Sequence, residues 1–317
     1  MGKMPKSLIY VPLVINEKTV GVLTVQSFKN NAYTKEDVVI LEALAAYISI
    51  AQSNAKSYEI IQEKNRNITD SIRYALTIQQ AVLPTPEEMN RLFDEYFVVF
   101  KPKDIVSGDF YWTVNYKGKT FVAIVDCTGH GVPGGFMSMI GNALLNEIVT
   151  IERIFSPAKI LEKLHQDVRA ALQQEKAKND DGMDVAIFCL DKTEEGNKIT
   201  FAGAKQAMYY IENHKLTKIK GDKMSIGGRR SKRRSDTFKE KTIILPNGSM
   251  IYMMSDGFAD QADLQGQKIG SNKIIEQLEK VAELSTDKQK QELEVLLEQH
   301  QRTAPQRDDI TLLGIRL

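Results

Sequence analysis

The chain has 317 residues, a length that on its own suggests about two domains. Hydrophobic residues make up 42% and charged residues 26%, and a formal net charge of +1 supplies no global field that would draw nucleic acid or a membrane surface. The two cysteines, Cys127 and Cys189, are too few for a disulfide framework and read as reduced thiols of a cytoplasmic protein; Met1 to Ser7 is short and basic, with no apolar signal segment after it.

LIYVPLVI (8–15) and TVGVLTVQSF (19–28) read as two strands joined by a polar turn. Thr34 with Asp37 three residues on forms a near capping box, with Asp in place of Glu, so a helix is predicted to start there. Two strands and one helix bury too little core for a domain, so the segment either docks elsewhere or belongs to a larger domain. The apolar stretch VVILEALAAYISIA (38–51) contains Glu42 and is too short to span a bilayer. From Ile40 to Val82 the positions 40, 44, 47, 51, 54, 58, 61, 65, 68, 72, 75, 79 and 82 alternate steps of four and three, the seam of a coiled coil. A helix from Lys35 to Leu83 would run ~70 Å at 1.5 Å per residue. Two readings stand: a parallel dimer stalk with Asn54 and Asn65 fixing register, or two shorter helices with a kink near 53–57 or 65–69.

Residues 91–317 carry strand-like segments at 96–102, 110–116, 120–126, 184–191, 198–204, 207–213, 241–246, 249–256 and 310–317, with hairpin signals in YKGK and PNGS. Helical patterns fall at 136–153, 156–177 and 271–302. Neighbouring strands that read as hairpins predict an α+β fold, a layered antiparallel sandwich with helices outside.

Asp109, Asp126, Asp256 and Asp308 each sit where a strand meets a turn. Each could be a turn residue. Together, carboxylates from separate strands with few histidines form an oxygen-only donor set that suits Mg²⁺ or Mn²⁺ rather than Zn²⁺. No phosphate-binding P-loop, H-E-x-x-H or G-x-S-x-G pattern is present. Of the four histidines, His165 and His300 read as surface residues of helices, His214 as a turn residue, and His130 lies near the acids. The glycines after Asp126, in VDCTGHGVPGG, read as an open turn leading into a helix. The basic run Arg229 to Arg234 reads as a solvated flap or a docking site for an acidic or phosphorylated partner; without interleaved aromatics it does not point to nucleic acid.

These residues resemble a known family. FKPKDIVSGDFYW, VDCTGHGVPGGFMSMIG, DGMDVAIFCLD, MMSDGFADQ and QRDDITLLGIRL are similar, in order, to the motifs of the SpoIIE-like branch of the PPM (type 2C) metal-dependent serine/threonine protein phosphatases. SIRYALTIQQAVLP (71–84) resembles the helix leading into that branch, and residues 1–53 resemble the C-terminal part of a GAF sensor domain, its first half absent, as in a fragment of a longer protein. The resemblance implies a truncated GAF portion (1–53), a helical linker (54–90) and a phosphatase domain (91–317) built as an α-β-β-α sandwich. It implies that Asp126 bridges two divalent cations, Mn²⁺ or Mg²⁺, with the Cys127 backbone carbonyl as a further ligand. Asp256 and Asp308 would bind one cation and Asp109 would lie near the other. Asp126 and Asp256 would be the catalytic residues holding a metal-bridged water. His130 does not carry over, because the proposed acid histidine of type 2C enzymes lies two residues after the bridging acid, where this chain has Thr128. The implied substrate is phosphoserine or phosphothreonine on a signalling protein, for example a STAS-type anti-sigma antagonist. The four-three seam adds the expectation of a homodimer through the linker helix, regulated by that helix and the sensor, and the near-zero net charge adds no nucleic-acid and no membrane partner. The rival reading, a non-catalytic dimeric scaffold or ligand-sensing module on the same fold, is disfavoured by the presence of all four acids.

Overall fold

A computed structural model describes residues 3–176, 178–228 and 237–317, so the basic run Arg229 to Arg234 lies outside the described residues. The chain forms two compact units, Met1–Ser71 and Ile72–Leu317.

In the first unit, β1 (Ser7–Ile15) and β2 (Lys18–Ser27) pair antiparallel, closing at Ile15↔Lys18. Asn16 and Glu17 have φ of 47° and 64°, both positive as in the turns that match strand twist. The helix α1 (Lys35–Val82) starts as the capping pattern predicts: Thr34 N–H donates to Asp37 Oδ2 (2.8 Å) and Asp37 N–H donates to Thr34 Oγ1 (3.3 Å). It runs without a break at either predicted kink. Val11, Ala45 and Ser49 are buried, whereas the seam residues Ile40, Leu44, Tyr47, Tyr58, Ile61 and Ile68 are exposed. The apolar stretch 38–51 is itself shorter than a bilayer span, but the helix that contains it extends on both sides. An 18-residue window of the helical stretch Lys35–Leu92 has mean hydropathy 1.4, enough by length and composition alone.

The second unit, which begins with the last turns of α1, continues with α2 (Pro86–Leu92), whose start the sequence reading did not anticipate. Thr85 Oγ1 accepts from Glu88 N–H while the Glu88 carboxylate accepts from Thr85 N–H, a full capping box with Pro86 in the first turn. One sheet comprises β4 (Phe110–Tyr116), β5 (Lys119–Cys127), β6 (Gly182–Thr193), β7 (Gly196–Ala204) and β11 (Glu240–Leu245), in the order β11-β7-β6-β5-β4, with β10 (Ile226–Gly227) also paired to β6. The other runs β3 (Glu95–Lys101), β13 (Ile310–Arg316), β12 (Met250–Met254), β8 (Ala207–Glu212) and β9 (Lys215–Lys220). All these pairs are antiparallel.

Three cores stack through the unit. Phe121, Val125 and Ile187 of the first sheet pack with Leu145 of α3 (Gly131–Asn146) and Leu161 and Leu164 of α4 (Pro157–Ala171). Val122, Ile124 and Phe188 meet Ile251, Met253 and Leu313 between the sheets. Tyr252 and Leu312 of the second sheet pack against Ile274 of α6 (Ser271–Val281) and Leu293 and Leu297 of α7 (Thr286–Gln301). This is the α-β-β-α layering expected. Three local expectations are corrected. The turn after Asp126 is confined to Thr128, Gly129 and His130, shorter than expected, because α3 already begins at Gly131. The helix predicted over 271–302 is two helices. His165 is fully buried rather than on the surface, its Nδ1 accepting from Gly227 N–H at 2.9 Å.

Candidate active site

Strand alternation sets the site. Val122 and Ile124 of β5 face the inter-sheet core while Phe121, Ala123 and Val125 face the helices, so Asp126 falls on the inter-sheet side at the strand end. Its cross-strand partner is Asp184, which shares the parity of Ala186, Phe188 and Leu190 in the same core. Asp109 shares the parity of Tyr111, and Thr311 that of Leu313; Thr311 Oγ1 donates to Asp109 Oδ2 at 2.8 Å. Asp256 follows β12 at the N-cap of the short helix α5 (Gly257–Asp260), and Asp308 lies just before β13. Both are exposed, whereas Asp109 is buried.

The carboxyls feel one another. Burial, and then the charges of Asp256, Asp184 and Asp308, push Asp126 up to about 8, against a lowering contribution from the Asp256 backbone N–H. Asp109 is raised well above the usual carboxyl range, first by burial and then by Asp126. Asp256 is raised too, because atoms packed round its carboxyl strip part of its hydration and Asp260, Asp308 and Asp184 add like charge. The four predicted acids therefore share one electrostatic field. Among the described residues no three His, Cys, Asp or Glu side chains lie close enough to hold an ion as they stand. As donor chemistry, the crowded, oxygen-only carboxylates fit hard divalent cations. Burial and the charges of Asp109, Asp126 and Asp309 hold the Cys127 thiol well above its ordinary value, so the backbone carbonyl is the donor this residue can offer.

His130 is engaged elsewhere. Its Nδ1–H donates to Asp104 Oδ2 at 2.5 Å and its Nε2 accepts from the Lys103 ammonium at 2.8 Å. That geometry makes it an anchor of the loop at the start of α3.

Sequence reasoning missed several residues. Asp309 is buried and accepts from Lys103 N–H and Gly108 N–H, each at 2.7 Å, so its carboxylate fixes the loop that delivers Asp109. Gln79, a seam position near the end of α1, is buried as well. Its Nε2 donates to Ser107 O (2.6 Å) and Ser138 Oγ (2.8 Å), and its Oε1 accepts from Ser107 N–H (3.1 Å). Asp184 was legible, since strand parity puts it beside Asp126. Gln79 carried no local signal, because its partners lie 28 and 59 residues away.

Residues 116–317 match the family described as Stage II sporulation protein E (SpoIIE), and residues 2–52 match the GAF domain family. Among solved structures, the SiaA-PP2C domain of Pseudomonas aeruginosa is 31% identical, with a TM-score of 0.71 over 80% of this chain and 98% of that one. The PP2C phosphatase domain of SpoIIE from Bacillus subtilis, solved with a fragment of its regulatory domain, shares the fold at 18% identity and a TM-score of 0.54, covering 70% of this chain and 62% of that one. Phosphoserine phosphatase RsbU of Bacillus subtilis is 25% identical over 241 residues, 71% of this chain; the chain spans 66% of that relative's length.

Proposed function

The chain belongs to the SpoIIE family of PP2C-type phosphatase domains, and from that premise we propose that it is a metal-dependent phosphatase of phosphoserine or phosphothreonine, acting on a signalling protein in the cytoplasm. The observation that carries this reading is the crowding of carboxyls at one end of the inter-sheet gap: Asp126 is driven up to about 8 by burial and by the charges of Asp256, Asp184 and Asp308, Asp109 is raised by burial and by Asp126, and Asp256 is raised by burial and by Asp260, Asp308 and Asp184. Asp109, Asp126, Asp256, Asp308 and the Cys127 carbonyl would hold two Mn²⁺ or Mg²⁺ ions. Such ions supply neutralisation of charge on the phosphoryl oxygens and lower the pKa of water. The protein supplies rigid placement. Asp126 ends a strand buried on both faces, Thr311 restrains the Asp109 carboxylate, and Asp309 pins the loop before it. The Cys127 thiol is held protonated, which makes it a poor nucleophile, and no phosphoenzyme is called for. The relative named a phosphoserine phosphatase supports phosphoserine as the reacting group, and a phosphorylated STAS-type protein is the substrate class proposed. With saturating Mn²⁺ the chain should hydrolyse p-nitrophenyl phosphate, and in EDTA it should not. A folded chain inert under both conditions would favour the scaffold reading instead.

We further propose that α1 makes the chain a homodimer and couples that state to the site. The exposed seam from Ile40 to Ile68 supplies the dimer contact. Gln79, on the same helix, clasps the Ser107 backbone two residues before Asp109. Light scattering at micromolar concentration should return twice the chain mass; a monomer would sink the dimer.

A further inference from the structure

The turn between β7 and β8 carries two side chains that the reading above leaves without a role. Lys205 Nζ lies 3.6 Å from Asp184 Oδ2, and Gln206 Nε2 lies 3.5 Å from Asp126 Oδ2. The turn is built to hold them there. Lys205 has a φ of 57°, in the left-handed region that non-glycine residues seldom occupy. The 221–222 segment clasps it: Lys205 N–H donates to Asp222 O (2.7 Å), Gly221 N–H to Gln206 O (3.1 Å), and Asp222 N–H to Gly203 O (2.8 Å). Only glycines allow so close an approach. A Cβ on Gly203 would fall 2.3 Å from the Gln206 carbonyl oxygen, and one on Gly221 would fall 2.4 Å from it. A strained, doubly clasped backbone is thus used to present an ammonium group at the acid cluster.

We propose that Lys205 is a substrate-binding residue: its ammonium grips the phosphoryl oxygens of the phosphomonoester, with Gln206 beside it as a second donor. This inference rests on the phosphatase reading and adds to it a phosphate contact made by the protein itself. Formal charge favours it. Asp109, Asp126, Asp184, Asp256 and Asp308 carry five negative charges and two divalent cations would bring four positive ones, leaving a net negative site that repels a phosphate dianion. Lys205 removes that excess. Its side chain is 53% exposed, and an ion pair so open to water contributes little to stability, so the ammonium can exchange Asp184 for an incoming anion at small cost.

The test compares wild type, Lys205→Met and Lys205→Arg. Both substitutions keep a Cβ-bearing residue in the turn, so the backbone is asked for nothing new. Inorganic phosphate is the probe, measured as a competitive inhibitor of p-nitrophenyl phosphate hydrolysis and by calorimetry on the Mn²⁺-loaded chain. A lost charged hydrogen bond predicts roughly a tenfold or greater rise in KM and in the phosphate Kd for Lys205→Met. The smaller change should be in kcat, the Mn²⁺ activation midpoint should stay in place, and Lys205→Arg should recover most of the affinity. Unchanged phosphate affinity in Lys205→Met would overturn the proposal. So would a shifted Mn²⁺ midpoint with normal phosphate affinity, which would make Lys205 a positioning residue for Asp184. The two failures separate: wild type without Mn²⁺-dependent turnover refutes the phosphatase reading, whereas active wild type with an indifferent Lys205→Met refutes only this one.

Discussion

Asp126→Asn should lower Mn²⁺-dependent turnover of p-nitrophenyl phosphate by roughly a thousandfold or more, with the chain still folded. Asparagine keeps the shape of the side chain at the end of β5 and removes the charge that Asp256, Asp184 and Asp308 surround. The same variant has a stability signature of opposite sign. In EDTA the wild-type carboxyl is raised to about 8 in the folded chain, against an ordinary value of 3.8, so the folded state holds its proton more tightly. Its contribution is complete below about pH 4 and is lost as pH rises through about 8. The melting temperature of wild type in EDTA should therefore fall more steeply between about pH 4 and 8 than that of Asp126→Asn, and run parallel to it above that range. Added Mn²⁺ should raise the melting temperature of wild type and leave the variant nearly unmoved. Melting temperatures that run parallel through that pH range too, or a variant with full turnover, would remove Asp126 from the centre of the site.

Gly257→Ala should be the most damaging single methyl in the domain. An added Cβ would lie 1.9 Å from the Asp309 carbonyl oxygen and 2.9 Å from its carbonyl carbon, both backbone atoms that no side-chain rotation can move. The collision drives apart the residue after Asp256 and the residue after Asp308. It also disturbs Asp309, whose carboxylate holds Lys103 N–H and Gly108 N–H. Overpacking of this severity costs about 3 kcal/mol or more. Turnover should fall at least a hundredfold, even at temperatures where circular dichroism reports a folded chain. A Gly257→Ala protein with wild-type melting temperature and rate would contradict the described approach of the two turns.

Much of this architecture was legible because its signals are local and periodic. The strands of the sandwich alternate between two buried faces, so their apolar runs are continuous, and the turns between them carry polar residues and glycines. The same alternation puts Asp126 and Asp184 on one side of the sheet, a step the residues permit once β5 and β6 are paired. What escaped depends on distant partners. The buried Gln79 reads in sequence as one more polar seam residue, and only the packing of Ser107 and Ser138 against it makes it a clasp. His165 looks like a polar point on an amphipathic helix, but Gly227 N–H needs an acceptor there, 62 residues on. The run GVPGG misled for a different reason. Its glycines disfavour a helix by intrinsic propensity, yet Gly131 and Gly134 sit tight against the loop residues Asp104 and Gly108, Gly141 packs on Phe110 and Met183 of the sheet, and packing overrides propensity. The short strand β9 carries only one buried side chain, Ile219, and so showed no clear pattern.

The central claim is that the acids at the end of the sandwich form a cation-dependent phosphomonoester hydrolase. Its most direct test is phosphate release from a phosphoserine peptide as Mn²⁺ is titrated into the metal-free chain. Release should be absent in EDTA, rise with Mn²⁺ to a plateau, and be abolished by Asp126→Asn. Release that persists undiminished in EDTA, or none from a folded wild-type chain at saturating Mn²⁺, would contradict it.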